Sequence, residues 1–179
     1  MEFRNSRTYK NLMKAFEGEL KASTKYRLYG ENAKKEGYQQ IGNIFDMTAK
    51  NEQEHAEIWY KLMNSGKVPS TLCNLVESYE SEIYEWTEMY ENYARIAEQE
   101  GYQDIADLFR MVGEIEHHHD YRFEVLADNI RHGTVFCKNK QIIWVCLNCG
   151  NTYYGECAPE VCPVCGYPKG YYEMYCENY

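Results

Sequence analysis

Hydrophobic and polar positions alternate with a helical period over residues 1–132, a stretch whose single proline is Pro69. Apolar side chains recur three or four residues apart in a composition rich in Glu, Lys, Ala, Leu, Tyr and Met, as in amphipathic helices. Breaks fall at Gly37, at NSGKVPS (64–70), at Gly101 and at HGT (132–134). The pattern predicts four helices, roughly at residues 6–36, 38–64, 72–100 and 102–131.

The two halves of this helical stretch repeat each other at an offset of 64 residues. Tyr26 aligns with Tyr90, and the tetrapeptide EGYQ at 36–39 recurs at 100–103. A dense match of this kind indicates a duplicated helical hairpin. Two copies predict a mostly α fold, a four-helix bundle with a pseudo-two-fold axis.

The last part of the chain has a different pattern. From residue 135, short β-branched and aromatic runs are separated by Gly, Pro and Asn, which predicts a small β-rich module. We therefore expect a bundle domain at 1–134 and a second domain at 135–179. A module of this size usually needs a metal or a disulfide to hold its fold.

The helical stripes carry ionisable side chains at one level of the predicted bundle. Two of the helices contain Glu-x-x-His, and the other two contain glutamates in apolar stripes. A buried carboxylate is costly unless it is neutralised or bound to a cation. Mixed oxygen and nitrogen ligands suit iron or manganese in a dinuclear bundle site. The candidate ligands are Glu19, Glu52, His55, Glu85, Glu88, Glu116 and His119.

The third helix does not fit the repeat. The offset of 64 aligns Glu19 with Ile83, not with Glu85, and positions 83 and 85 lie about 200° apart on a straight helix. A local register change such as a π-bulge, between about 86 and 92, would reconcile the two halves. The surplus carboxylate of Glu85 or Glu88 suggests that the two metals are not equivalent.

The cysteines predict a second metal site. Cys146-x-x-Cys149 and Cys162-x-x-Cys165 have the spacing of a tetrahedral four-thiolate centre. Glycine follows each pair, where a positive φ would aim backbone N–H groups at the sulfurs. The spacing alone leaves zinc and iron open, with zinc slightly ahead. The remaining cysteines are expected to be free thiols: Cys73, Cys137, Cys157 and Cys176.

The net charge and the hydropathy of the chain argue against nucleic-acid and membrane partners. The net charge is −9, and the absence of a basic stripe argues against nucleic acid. No apolar run approaches the roughly 20 residues of a membrane helix, and MEFRNSRTYK lacks the apolar core of a signal peptide. These features predict a cytoplasmic protein with no membrane partner.

Several motifs resemble those of the rubrerythrin family over essentially the whole chain. They are FEGELKA, NEQEH, EWTEMY, ARIAEQEGY, EIEHHHDYRF and WVCLNCG…APEVCPVCGYPK. The resemblance implies a ferritin-like di-iron bundle followed by a rubredoxin-like domain with one Fe(Cys)4 centre. It implies reduction of hydrogen peroxide to water, with electrons from NAD(P)H through an external reductase or from rubredoxin.

The resemblance also implies roles for the carboxylates. Glu52 and Glu116 match bridging ligands, whereas Glu19, Glu85 and Glu88 match terminal ligands.

The same resemblance implies roles for three further side chains. His119 matches the imidazole on one iron, and His55 matches the imidazole that replaces a glutamate on the other iron when the site is reduced. Tyr26 matches a hydrogen-bond donor to a ligating carboxylate.

The family resemblance implies a head-to-tail homodimer, and the linker predicts a particular form of it. In a bundle with a long crossover, the ends of helices 2 and 3 would be about 33 Å apart along the axis. Residues 65–71 span at most roughly 25 Å. Either the segment STLCNLVESYE is not all helical, or the hairpins are exchanged between two chains. We therefore expect a homodimer, with or without exchanged hairpins, or a higher homo-oligomer.

Three other functions stay open on the sequence. A ferrous bundle site could reduce oxygen as a ferroxidase, the chain could bind or store iron, or zinc at the cysteines could be purely structural. Zinc or manganese could replace iron at either site. The cysteine module argues against storage, because storage does not require a one-electron entry point.

Overall fold

The computed structural model describes residues 2–178 and confirms a mostly α fold followed by a small β region. The chain forms two compact units, one ending at Pro69 and the other beginning at Ser70. The domain boundary expected between residues 134 and 135 stays a prediction.

The first unit is a helical hairpin of α1 (Arg7–Lys35) and α2 (Gln39–Met63). Ser6 caps α1, since its Oγ accepts the backbone N–H of Tyr9 at 3.0 Å. The hairpin turns at Gly37, whose φ of 92° is available to glycine without steric cost. The two helices therefore run antiparallel, as the repeat predicts.

The second unit begins with a hairpin in which the first arm is interrupted. This arm comprises α3 (Thr71–Tyr84), a π-helical segment (Glu85–Met89) and α4 (Tyr90–Gln99), and the second arm is α5 (Gln103–Arg131). The N–H of Tyr90 donates to the carbonyl of Glu85, five residues back. The predicted register change is thus confirmed, one residue earlier than expected.

Each hairpin buries small side chains and leaves larger ones exposed. The buried apolar residues of the helices are Ala33, Ala49, Ala56, Ala94, Ala97, Ala106 and Ala127. Ile41 and Ile105, which the sequence pattern places on inward-facing stripes, are 49% and 46% exposed. Neither hairpin covers its own predicted core stripe, so each has an apolar face available for packing.

The helices of the first hairpin approach most closely at two glycines. A Cβ on Gly42 would lie 2.9 Å from the carbonyl oxygen of Gly30. The second hairpin has Ala94 and Ala106 at the equivalent positions, both fully buried. The helix crossing of the first hairpin therefore requires glycine, whereas that of the second hairpin accommodates alanine.

Replacing Gly42 with alanine is expected to destabilise the protein by about 1–3 kcal/mol, the usual cost of overpacking. The matched control is Gly113→Ala, where the new Cβ would make an ordinary 3.4 Å contact with Tyr90. That change should stabilise, because alanine favours a helix interior over glycine by about 1 kcal/mol. Denaturant unfolding measures both, and equal effects would contradict the close crossing.

The β region is an antiparallel sheet of three strands in the described part of the chain, β1 (Cys137–Cys146), β2 (Thr152–Cys157) and β3 (Tyr172–Met174). Its order is β2-β1-β3. Trp144 on the central strand is fully buried and packs with two of the metal-site cysteines. The small core of this region therefore surrounds the candidate thiolate site.

Among residues 2–178, no helix is long and apolar enough to cross a membrane. A cytoplasmic location stays a prediction.

Candidate metal centres

The first hairpin brings together Glu19, Glu52 and His55, as the sequence predicts. His55 Nδ1 lies 3.0 Å from Glu52 Oε2 and 3.8 Å from Glu19 Oε1. Two of these residues come from one turn of α2 and the third faces them from α1. One nitrogen and two carboxylates thus converge on one point.

The second hairpin repeats this trio with a residue that the sequence analysis missed. His119 Nδ1 lies 2.7 Å from Glu116 Oε2 and 3.8 Å from Glu82 Oε1. The distances nearly match those of the first trio. Glu82 on α3 is therefore the counterpart of Glu19.

The π-helical segment explains why Glu82 was missed. The segment adds one residue, so the offset between the halves is 64 after it and 63 before it. At 63, Glu19 aligns with Glu82 rather than with Ile83. The register change was predicted, and carrying it through to the residues before the bulge would have identified Glu82 as a candidate ligand.

The three other predicted residues of the bundle site differ in position. Glu85 is close enough for its charge to raise the pKa values of Glu82 and Tyr90. Glu88 is exposed, and neither Glu85 nor Glu88 belongs to the candidate metal-binding groups found among the described residues, so their roles as ligands stay predictions. Tyr26 packs its ring 6.0 Å from that of Phe45, and its hydrogen bond to a carboxylate stays a prediction.

The two trios fit a metal ion of the predicted kind. Donors bound at right angles to one ion, with bonds of about 2.1 Å, are about 3.0 Å apart. Within each trio, one atom from each side chain lies within 4.8 Å of the others. Two carboxylates and an imidazole suit iron or manganese better than a soft ion.

Burial and mutual repulsion of the carboxylates affect the acidity of Glu82 in the second trio and of Tyr90. Burial raises the pKa of Glu82, and the negative charges of Glu116 and Glu85 raise it further. The pKa of Tyr90 is also raised, first by burial and then by the carboxylates of Glu116, Glu85 and Glu82. Nearby carboxylates oppose each other's ionisation, and a divalent cation would relieve that repulsion.

The four predicted cysteines form a compact site in the β region. Cys146 Sγ lies 3.7 Å from Cys165 Sγ, and Cys149 Sγ lies 3.7 Å from Cys162 Sγ. A tetrahedral ion with metal–sulfur bonds of about 2.3 Å separates its sulfurs by about 3.8 Å. The geometry therefore fits a four-thiolate metal centre.

The two halves of this site have the same backbone turn. Gly150 and Gly166 have φ values of 76° and 73°, which confirms the predicted positive φ. Gly150 N–H donates to the carbonyl of Cys146 at 2.8 Å, and Gly166 N–H donates to that of Cys162 at 2.9 Å. Each Cys-x-x-Cys-Gly is thus a preformed knuckle.

The thiols differ in acidity before any metal binds. Hydrogen bonding from the Tyr172 hydroxyl is the main cause that lowers the pKa of Cys162 to about 6. The Asn151 backbone favours the Cys149 thiolate, but burial and the neighbouring thiols outweigh it and raise the pKa of Cys149 to about 12. Without a cation the four sulfurs cannot all be thiolates at neutral pH, so binding a metal releases protons.

One expectation about the other cysteines is wrong. Cys137 and Cys157, taken as free thiols, form a disulfide between the beginning of β1 and the end of β2. Cys73 and Cys176 are free, as expected. The disulfide pairs two residues that are 20 apart in sequence but directly opposite in the ladder.

Replacing Cys157 with serine is expected to destabilise the β region by about 3 kcal/mol, since the bridge closes a loop of about 20 residues in the unfolded chain. Cys176→Ser is the control, because Cys176 is exposed and free. Amide exchange of β1 and β2 measures the loss. Alkylation of the denatured protein should reach two more cysteines after reduction than before, and an equal count would show that the bridge is absent.

Comparisons with known proteins agree with this arrangement. The rubrerythrin family model matches residues 10–127, and the rubredoxin-like domain model of rubrerythrins matches residues 144–173. The chain is 39% identical to rubrerythrin-1 of Clostridium acetobutylicum, with 98% of each chain covered. It is 40% identical to rubrerythrin of Nitratidesulfovibrio vulgaris, with 96% of this chain and 95% of the relative covered. With paired Glu–Glu–His trios, a four-cysteine site and similarity along its whole length, the chain belongs to the rubrerythrin family.

Proposed function

We propose that this protein is a non-haem di-iron peroxidase that reduces hydrogen peroxide to water. The observation that carries the proposal is the pair of matching Glu–Glu–His trios in a chain that also holds a four-cysteine site. The reaction consumes one peroxide, two electrons and two protons and yields two waters. A two-metal site and a one-electron site together match that electron count.

The residues that would hold the metals are those already described. The trios would bind two irons, with Glu85 as a seventh ligand, and the four cysteines would bind one more. When bound, the paired irons would supply the two electrons for peroxide, and iron at the four cysteines would supply single electrons to reduce that pair again. The four to five carboxylates of the site would offset the +4 charge of two ferrous ions.

The extra carboxylate makes the proposed site asymmetric. Position 85 aligns with Ala22 at the offset of 63 that holds before the π-helical segment, so the first hairpin has no matching acid. His55 is 51% exposed whereas His119 is 35% exposed. These differences support the expectation that the two metals are not equivalent and that His55 replaces a glutamate on one of them when the site is reduced.

We also propose that the bundle is completed by a second copy of the chain. α2 continues eight residues beyond His55 and α3 begins eleven residues before Glu82, so a single-chain crossover would rise about 29 Å. The eight peptide steps from Met63 to Thr71 reach at most about 29 Å when fully extended. They contain a turn at Gly66, whose N–H donates to the carbonyl of Lys61 at 2.6 Å, so they cannot also cross the bundle.

The exposed apolar side chains support this exchanged dimer. Each hairpin leaves large residues of its second helix at least 40% exposed, among them Ile44 and Met47 in α2 and Leu108 and Met111 in α5. Packing one hairpin against the complementary hairpin of a partner would cover them. Size-exclusion chromatography with light scattering should give a dimer or a multiple of it, and a monomer would overturn the exchange.

The donor and the cellular setting complete the proposal. We expect electrons to enter at the Fe(Cys)4 centre from rubredoxin or from an NAD(P)H-dependent reductase in the cytoplasm. Oxygen-dependent ferroxidase activity and simple iron binding are the competing functions.

Anaerobic reduction followed by one equivalent of peroxide or of oxygen tests the proposal. Protein purified without added metal should hold about three irons per chain, lose its visible absorption on reduction, and recover it much faster with peroxide than with oxygen. Faster recovery with oxygen would favour the ferroxidase. Zinc at the cysteines and no recovery after reconstitution with iron would overturn the peroxidase.

A further inference from the structure

Asp120 is the buried charged side chain among the described residues, with only 9% of its surface exposed. It follows His119 directly on α5. Its Oδ2 accepts a hydrogen bond from the indole Nε1–H of Trp86 at 3.2 Å. The bond joins two arms of the second hairpin across 34 residues of sequence.

Trp86 lies in the π-helical segment, immediately after Glu85. Its ring also packs against that of His117, with centroids 4.4 Å apart. The indole therefore contacts α5 on both sides of His119, at residues 117 and 120. The Trp86 side chain therefore connects the π-helical segment, next to Glu85, to the part of α5 that carries His119.

A π-helical turn has a specific need for such a link. It contains one residue more than an α-turn and recurs mainly at functional sites, because it is otherwise unfavourable. In this segment the N–H of Tyr90 bonds to Glu85 instead of to the residue four positions back. A return to α-helical bonding would rotate the residues on one side of the segment by about 100° relative to the other, and so turn Glu82 and Glu85 together away from Glu116 and His119.

The first hairpin has neither the π-segment nor the pair. Asp120 aligns with Ala56, which is 2% exposed, and Trp86 aligns with Ser23 at the offset that holds before the bulge. Alanine satisfies the packing at this position without burying a polar group, which is costly even when a hydrogen bond is made. The buried carboxyl group thus occurs in the hairpin with the extra carboxylate and is absent from its equivalent.

We propose that Trp86 and Asp120 are a positioning pair, whose hydrogen bond holds the π-helical segment in register and keeps Glu82 and Glu85 facing Glu116 and His119. The inference rests on the proposed di-iron function only in treating Glu85 as a ligand. It adds a reason why the segment is stable and names two residues that do not bind metal.

The test uses the full-length protein and four variants. Trp86→Phe removes the donor and Asp120→Leu removes the acceptor, whereas Asp120→Asn keeps an acceptor oxygen. Trp59→Phe is the matched control, because the Trp59 indole nitrogen is buried and makes no hydrogen bond within the described structure. Its loss of ring size is the same as in Trp86→Phe, but no hydrogen bond is lost.

Two readouts, neither of them peroxidase activity, separate this inference from the proposed function. The first is amide exchange of residues 85–92 in metal-free protein. The second is the affinity for ferrous iron under anaerobic conditions, measured after one equivalent of zinc has filled the cysteine site. Both readouts can support or contradict the inference even if the protein proves not to be a peroxidase.

Trp86→Phe and Asp120→Leu should speed exchange at Tyr90 about tenfold or more relative to α1, and should weaken iron binding about 10–100-fold, as loss of partners behind metal ligands does. Asp120→Asn should keep most of the exchange protection at Tyr90 and most of the iron affinity, and Trp59→Phe should change neither quantity. The proposal is overturned if Trp86→Phe matches Trp59→Phe in either readout, or if Asp120→Asn is as damaging as Asp120→Leu.

Discussion

Replacing Glu82 with glutamine is expected to remove high-affinity iron binding from the second trio and to abolish peroxidase turnover. Glutamine keeps the size of the side chain but cannot supply a charged oxygen. Loss of hydrogen-bond partners behind a ligand already weakens metal binding about 10–100-fold, so loss of the ligand itself should exceed about 100-fold. Anaerobic ferrous titration of the full-length protein measures the affinity directly.

In the absence of metal, Glu82→Gln should be at least as stable to unfolding as the parent protein at neutral pH. The pKa of Glu82 is raised in the folded protein by burial and by the charges of Glu116 and Glu85. A raised carboxyl pKa favours folding below the unfolded-state pKa, and that stabilisation is lost as pH rises through the folded pKa. Glutamine is neutral at every pH, so the variant avoids this loss of stability, although it also lacks the carboxylate that would bind metal.

Glu88→Gln is the control that distinguishes the trio found in the structure from the ligand set predicted from sequence spacing. Glu88 is exposed and lies outside the second trio, so its replacement should leave iron affinity within about twofold of the parent protein. Glu19→Gln, at the equivalent position of the first hairpin, should behave like Glu82→Gln. Loss of iron in Glu88→Gln with retention in Glu82→Gln would support Glu88 as a ligand, as predicted from sequence, and contradict the role of Glu82.

Glu82 shows where sequence reasoning stopped. Glu-x-x-His recurs at an exact repeat, so both histidines and their glutamates could be predicted from spacing alone. The other carboxylate lies before a π-helical turn, and the repeat offset changes by one residue there. A single inserted residue turns the preceding side chains by about 100°, so no straight-helix alignment of the third helix could find both Tyr90 and Glu82.

The disulfide illustrates a different limit. Spacing separates the metal-site cysteines from the others because two Cys-x-x-Cys pairs are a local pattern. The partnership of Cys137 and Cys157 depends on the register of β1 and β2, which is irregular between Cys137 and Ile142. Four residues of β1 therefore face one of β2, and the sequence offers no local signal for that bulge.

The helical pattern predicted the elements better than it predicted the burial. Stripes at i, i+4 and i+7 located both hairpins, with ends within one or two residues of the observed helices. The same stripes predicted that Ile41 and Ile105 face inward, whereas each is about half exposed within its unit. Periodicity shows which face is apolar, but not whether that face is covered by the same hairpin, another hairpin or a second chain.

Replacing Cys162 with serine is expected to have the second large effect, which should be confined to the β region. Trp144, Cys146 and Cys162 are its largest fully buried side chains, so the metal site occupies the centre of the core. In small metal domains the binding free energy is also the folding free energy. The variant should lose one metal per chain and its amide protection at β1 and β3, while the helical hairpins keep theirs.

The same variant separates the two proposed redox roles of the protein. Turnover with an external electron donor should fall more than about 100-fold, because electrons no longer enter at the cysteine site. A single reaction of the chemically reduced bundle with peroxide should survive, because Glu19, Glu82 and their partners lie in the hairpins. Cys73→Ser, which changes an exposed free thiol, should alter neither rate. Unchanged donor-linked turnover in Cys162→Ser would show that electrons reach the carboxylate site by another route, and loss of the single reaction as well would show that the bundle depends on the β region for its own chemistry.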